Sequence, residues 1–340
     1  MIKKALLFFL FISVSLWAQR HTRHHTTLQS SGSTTVAANQ KAPGYSKIKI
    51  TKDSQFIYIV ANGIPNHQVG AFPNPGNPHQ ISVQSYNYKV ARHPKRNSRS
   101  TKLEMAFDFG IALNGVPFDP GAAEWYKGER NSLWQYEALS GAVALGVDEN
   151  HAHVQPTGAY HYHGKPSKLL KNLGLVKGSP SPLIGYAADG FKIYALYGEA
   201  GKEMTSSYKL KKGQRAIGGK HDGTFVVDYE YIAGSGTLDE CNGMVFNGSY
   251  AYFLTNSFPI IPRCFRGTPD SSFRRGRAGG NQQQGQTHSR HPRRGHRPPQ
   301  AAMNACAGKS VGNTCGFITP RGRLRGTCFR PPSGGLACRP

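Results

Sequence analysis

Apolar and polar residues begin to alternate at Lys47-Ile48-Lys49-Ile50, and the alternation returns in Phe56-Ile57-Tyr58-Ile59-Val60. A period of two marks a strand with one buried face, because successive side chains leave the backbone on opposite sides. Turn signals punctuate the chain that follows: Asn62-Gly63, Asn114-Gly115, Asp189-Gly190, Asp222-Gly223 and Asn242-Gly243. Each joins a residue tolerant of positive φ to a glycine, as a two-residue hairpin turn requires. Two phrases, Gly110-Ile111-Ala112-Leu113-Asn114-Gly115-Val116 and Gly185-Tyr186-Ala187-Ala188-Asp189-Gly190-Phe191, share G-x-A-x-[N/D]-G and a following apolar residue. They read either as a degenerate duplication or as two hairpins with the same turn chemistry. Helical patterning is sparse, with residues 132–145 and 167–175 as the best stretches. The pattern predicts a mainly β fold: an antiparallel β sandwich or barrel-like domain over residues 45–267, with few short helices.

The flanks differ in kind. Residues 19–44 are rich in Ser, Thr, Gln and His with scarcely an apolar residue, which predicts a disordered leader. Residues 268–300 predict a disordered linker. There Arg274, Arg275, Arg277, Arg290, Arg293, Arg294 and Arg297 sit among Gly, Gln, Pro and His. Residues 301–340 form a short Cys-rich module of a size that needs covalent staples to fold alone.

Charge sharpens this division. The 340 residues hold 42 Lys+Arg against 18 Asp+Glu, a formal charge of +24. Residues 1–102 have 14 basic residues against one acidic, and residues 271–340 have 13 against none. The centre, residues 103–270, has 15 against 17. A near-neutral centre between basic arms is not a uniformly basic nucleic-acid-binding fold, so a nucleic acid partner is not expected. The 38% hydrophobic content, with 40 Gly besides, excludes wholesale disorder, collagen and a coiled coil. A polyanion such as acidic polysaccharide or lipopolysaccharide is the expected partner of residues 271–300, with a solvated spacer as the alternative.

Lys3 and Lys4 precede an apolar run from Ala5 to Leu16, then Trp17-Ala18. This pattern predicts a signal peptide over residues 1–18 and a secreted or periplasmic protein without a transmembrane segment after its removal. In an oxidising compartment all six cysteines, Cys241, Cys264, Cys306, Cys315, Cys328 and Cys338, are expected in disulfides. Cys241 with Cys264 would close one loop in the β domain. The last four have three possible pairings.

The sharpest chemical feature is His151-Ala152-His153-Val154-Gln155-Pro156-Thr157-Gly158-Ala159-Tyr160-His161-Tyr162-His163. Proline suits the first corner of a type I turn and glycine the left-handed position that follows, which predicts a three-residue hairpin loop. Residue 153 then faces 161 and 151 faces 163. Alternation puts His151, His153, His161 and His163 on one face, and Ala152, Val154, Tyr160 and Tyr162 on the other, in the core. Opposed Cβ atoms lie only ~5 Å apart, close enough for imidazoles from both strands to converge on one ion. A divalent transition metal, Zn or Cu favoured, is the expected cofactor. A polar hydrogen-bonded cluster is the alternative.

The same residues carry a resemblance. Ala152-His153-Val154-Gln155-Pro156 followed by Tyr160-His161-Tyr162-His163-Gly164 resembles the motif that names the YHYH-domain family of secreted, mostly bacterial proteins. Asn62-Gly63-Ile64-Pro65-Asn66-His67, Gly115-Val116-Pro117-Phe118-Asp119, Asp189-Gly190-Phe191 and Leu238-Asp239-Glu240-Cys241-Asn242-Gly243 are similar to it as well, as are Phe258-Pro259 and Arg263-Cys264-Phe265. The resemblance spans residues 47–267 and implies an exported domain, but no assigned activity.

Carboxylates near these motifs are the candidate partners. Metal-bound histidines need neighbouring acceptors to fix their tautomer, and a hydrolytic site needs a base. Asp148 and Asp189 are candidates for the first role. Asp239 and Glu240, beside Cys241, are candidates for catalysis. Turn chemistry and strand-end capping account for the same residues without a site. His67 and His79 fall in a Pro/Asn/Gly-rich loop. No nucleophile elbow, P-loop, dinucleotide fingerprint or H-E-x-x-H occurs. Three functions from different classes follow: an exported transition-metal-binding protein, a metal-dependent hydrolase or oxidase acting on an extracellular polymer, and a non-catalytic adhesin that binds polyanions through the arginine-rich segment.

Overall fold

The alternating residues 47–60 form the first strands. The larger unit runs through β1 Ile48–Lys52, β2 Phe56–Ala61, β3 Tyr86–Ala91, β4 Thr101–Lys102, β5 Gly110–Ala112, β6 Pro117–Phe118, β7 Ala152–Val154 and β8 Tyr160–Tyr162. It continues with helix α1 Ser167–Asn172, β9 Leu183–Ala187, β10 Lys192–Tyr194, β11 Tyr208–Leu210, β12 Tyr229–Tyr231, β13 Gly243–Phe246, β14 Ser249–Phe253 and β15 Cys264–Phe265. The computed structural model describes residues 35–275, 300–319, 322–330 and 335–339. The predicted signal peptide, the leader up to residue 34 and most of the basic linker lie outside the described residues.

The chain divides into two compact units, residues 1–278 and 279–340. In the larger one, β1, β2 and β3 make an antiparallel sheet in which Ile57, Ile59 and Ala61 of β2 are buried and Phe56, Tyr58 and Val60 are not. An eight-stranded sheet follows the order β13-β14-β10-β9-β5-β6-β8-β7. Most of its junctions are antiparallel, but β10 with β14 and β6 with β8 are parallel. The fold is mainly β, as the pattern predicts.

The two similar phrases pair with each other. Gly110 faces Ala187 and Ala112 faces Gly185, so β5 and β9 are related by a local two-fold. A Cβ on Gly110 or Gly185 would collide with the carbonyl of Tyr186 or Ile111, so both positions need glycine. The following turns match bond for bond: Ala112 N–H to Val116 O and Gly115 N–H to Ala112 O, then Ala187 N–H to Phe191 O and Gly190 N–H to Ala187 O.

Other turn signals are used differently. Asn62 anchors the start of β1, accepting from Lys47 N–H and donating to the Tyr45 carbonyl. Asp222 pairs with Arg215. Asn242 takes φ 51° just ahead of β13. The tightest hairpin, β13 to β14, turns on Asn247-Gly248, with φ 49° and 74°. Of the two helical stretches, residues 167–172 form α1, but 132–145 does not form a helix. There Gln135 and Tyr136 bridge to Trp125 and Phe225, and Gly141 at φ 77° breaks the run.

The folded body is longer at both ends than the composition predicts. Val36 bridges to Asp148 and Gln40 to Val69, and Ala38 is buried. Residues 35–44 are therefore part of the folded body rather than of a leader. Local composition misses this because two alanines and backbone bonds provide the contact. At the other end, Phe273 is buried and stacks on Tyr88 at 4.2 Å, and Arg274 bridges to Phe107. Residues 268–275 are thus part of the domain rather than of the linker.

The smaller unit packs α2 Gln300–Asn304 with an antiparallel sheet of β16 Thr314–Thr319, β17 Gly322–Phe329 and β18 Ala337–Arg339. Disulfides Cys306–Cys328 and Cys315–Cys338 select one of the three pairings. Their half-cystines, with Ala302, make up most of its buried core. Cys241–Cys264 closes the loop expected in the larger unit.

Candidate metal centre

The histidine hairpin forms in the register its turn dictates. Gln155 and Ala159 close a loop of Pro156, Thr157 and Gly158, with Gly158 at φ 82°. Ala152 faces Tyr162, His153 faces His161 and Val154 faces Tyr160. Ala152, Val154, Tyr160 and Tyr162 are at most 1% exposed and pack in the main core. The imidazoles of His153, His161 and His163 gather on the other side.

The three rings form a nearly equilateral, mutually steep triangle. Centroids lie 4.7 Å apart for His153–His161, 4.6 Å for His153–His163 and 4.7 Å for His161–His163, at interplanar angles of 69°, 76° and 70°. One nitrogen of each lies within 4.8 Å of the others. His153 Nδ1 bonds the Leu145 carbonyl at 2.9 Å and His161 Nδ1 the Ala159 carbonyl at 3.1 Å. A carbonyl only accepts, so both Nδ1 atoms carry the proton and both Nε2 atoms offer a lone pair. His163 Nε2 lies 3.0 Å from His161 Nε2, and His163 Nδ1 is buried without a partner. Tetrahedral nitrogen ligands at ~2.0–2.1 Å from an ion stand ~3.3 Å apart, which fits this facing pair.

Burial holds the three imidazoles neutral, the form that ligates metal. It pushes His153 down, His161 to about 3 and His163 well below the usual histidine range, and His153 adds repulsion to the other two. They line a cavity of about 520 Å³, shared with His79, Asp119, Glu124, Trp125, Arg130 and Arg275. Glu124 Oε2 is buried there without a hydrogen-bond partner, and burial raises its carboxyl. Asp119 is held by the guanidinium of Arg275, which also lies 3.6 Å from Asp108.

A family model described as YHYH protein matches residues 87–267. The chain belongs to the YHYH family. No curated protein and no solved structure matches it.

The other candidate residues of this YHYH protein lie elsewhere. His151 is not brought into the triangle. The turn that starts at Asp148 gives it φ 51°, which breaks the alternation, and its Nδ1 bonds the Lys165 carbonyl at 2.9 Å. Asp148 is wholly buried on the tyrosine side, where it accepts from the Tyr160 hydroxyl at 2.7 Å and from Gly70 and Asn150 N–H. Asp189 accepts from the Tyr252 hydroxyl at 2.6 Å and Gly267 N–H at 2.8 Å. Asp239 accepts from Cys241 and Gly243 N–H and from Tyr250, while Glu240 pairs with Arg266 at 3.2 Å. None of these four carboxylates lines the histidine cavity. They are spent on turns, on tyrosine hydroxyls and on Arg266. His67 supports the hairpin from behind, its Nε2 accepting from the Tyr162 hydroxyl at 2.6 Å. His79 reaches the cavity.

Asp119, Glu124 and Arg275 were not picked out as site residues by sequence. Asp119 closes a family motif, Gly115-Val116-Pro117-Phe118-Asp119, which was a usable signal. Arg275 sits in a stretch whose composition reads as linker. Glu124 carries no local signal at all.

Proposed function

We propose that this protein is an exported transition-metal-binding protein in which His153, His161 and His163 hold one zinc or copper ion and the cavity leaves a coordination position open. The carrying observation is the convergence of three neutral imidazoles, two of them with Nε2 lone pairs fixed by backbone carbonyls. Three protein nitrogens beside an open cavity make the set of a reactive rather than a closed structural site. Elemental analysis of protein purified without a His-tag is expected to find about one ion per chain. His153→Ala/His161→Ala should lower affinity by more than about a hundredfold, while His151→Ala should leave it within about twofold. Equal metal content in the double variant would reject the site.

A second function, metal-dependent hydrolysis, is favoured by the unpartnered Oε2 of Glu124 in the same cavity. Zinc in such a set supplies Lewis acidity for activating water. Glu124 is the group free to take up the proton that this releases, a role the sequence had offered to Glu240. Burial raises its carboxyl above the usual range, which makes it a stronger base than an exposed glutamate. Glu124→Gln should keep the metal and lose about a hundredfold in turnover of a 4-nitrophenyl ester by zinc-loaded protein. Unchanged turnover would reject Glu124 as the base.

A further inference from the structure

The histidine cavity does not stand alone. A second cavity of about 420 Å³ shares Met105, Asp119, Gly121, Trp125 and Arg130 with it and reaches Lys102 and Leu133. Each has the size of a small-molecule site. Two that adjoin over a common wall suit an extended chain better than a single compact ligand.

The charges along this wall are unevenly matched. Asp119 is paired with Arg275, Glu104 with Arg274 and Arg263 with Glu137. Arg130 and Lys102 have no carboxylate within ion-pair distance among the described residues, and both are exposed. Lys102 also ends an exposed basic loop, Arg92, His93, Lys95, Arg96, Arg99 and Lys102, with no acidic residue between. An excess of positive charge, offset at Arg130 only by the nearby Glu124, therefore leads from the surface into the second cavity. Among the described lining carboxylates Glu124 alone makes no salt bridge, although the Arg130 guanidinium is close enough to favour its ionised form.

Apolar surface accompanies the charge. Trp125 stands in the wall between the cavities, with the Arg130 guanidinium 5.9 Å from its ring centre. Met105 and Leu133 are 37% and 75% exposed beside it. Trp125 is the only Phe, Tyr or Trp among the described lining residues. Single-stranded nucleic acid is held by a succession of aromatic platforms, one per base, which this wall lacks. The C–H face of a sugar ring needs one flat platform, and carboxylates on neighbouring sugars suit a lysine and an arginine on either side.

We propose that the two cavities form one binding cleft for an acidic polysaccharide chain, with a sugar ring on Trp125 and its carboxylates on Arg130 and Lys102. The chain enters from the 92–102 loop and ends at the histidine triangle. This names the substrate class for the hydrolytic function above and rests on it for the chemistry, although binding alone does not.

The test is titration of the full-length protein with polygalacturonate at about 0.1 M salt, where charges are screened beyond ~10 Å. Neutral dextran and an oligothymidylate serve as comparison probes. Lys102→Gln/Arg130→Gln, at two exposed positions, should weaken polygalacturonate binding about tenfold or more, and Trp125→Ala by about tenfold. Neutralising Arg277, Arg290, Arg293, Arg294 and Arg297 to Gln should change it by less than about twofold. Dextran and oligothymidylate should bind at least about tenfold more weakly. Wild-type affinity in the Lys102/Arg130 double variant, loss of binding in the five-arginine variant, or equal binding of oligothymidylate would each overturn the cleft. Polygalacturonate binding should persist in wild-type protein stripped of metal by a chelator, so failure of the metal centre and failure of the cleft give different results.

Discussion

The two faces of the histidine hairpin are built from the same few residues and solve opposite problems. On the tyrosine face, polar atoms are matched with partners: Tyr160 donates to Asp148, and Tyr162 donates to His67 and accepts from Asn114. On the histidine face, nitrogens confront one another and His163 Nδ1 has no partner. Buried polar atoms left unpaired are costly, so a native structure satisfies nearly all of them. The tyrosine side contributes stability. The histidine side uses some of it to keep lone pairs available. One turn, residues 156–158, sets both through strand alternation.

Variants on the two faces should therefore behave differently. The largest effect is expected at Asp148, which is fully buried and accepts several hydrogen bonds. Asp148→Ala should cost roughly 3–5 kcal/mol in urea unfolding of the metal-free protein, whereas His161→Ala should cost about 1 kcal/mol or less. Equal losses would erase the contrast. Next, Tyr162→Phe leaves His67 Nε2 and Asn114 Nδ2 without their partner and should cost about 1–2 kcal/mol without changing metal affinity.

The smallest effect separates well-served from poorly served carboxylates. Asp108 is buried with Tyr88 and Arg275 as its partners, and desolvation pushes it up to about 6. The folded state then holds this proton more tightly than the unfolded chain does. Its contribution is full below about 3.8 and is lost as pH rises through about 6. Between those limits the melting temperature of wild type should fall relative to Asp108→Asn by on the order of 5 °C, read by calorimetry on metal-free protein. A constant difference between the two would mean that Asp108 titrates normally.

Local rules made most of the fold legible and about half of the site. Alternation gave β1 and β2, and the proline–glycine loop gave the hairpin register, because both are decided within a few residues. The carboxylate partners were not readable in this way. Asp148, Asp189 and Asp239 looked available, but each is consumed by backbone N–H groups and a tyrosine hydroxyl that only the folded chain brings near. Glu124 is the converse case: it lies in a segment with no motif, and it enters the cavity through the Trp125–Gln135 and Tyr136–Phe225 bridges. His151 failed for a backbone reason, since alternation holds only while φ stays negative.

The return of the chain after β15 has a consequence for how the protein withstands proteolysis. The family match ends at residue 267, yet Arg275 supplies the guanidinium between Asp108 and Asp119. Arg274, Arg275 and Arg277 offer a trypsin-like protease three cleavage points within four residues. A cut after Arg277 would keep Arg275, and with it the cavity wall, on the larger unit. A cut after Arg274 would remove the guanidinium and leave two buried carboxylates facing each other. Arg274 is clamped, by Glu104 and by the ring of Phe107, which guards the damaging bond.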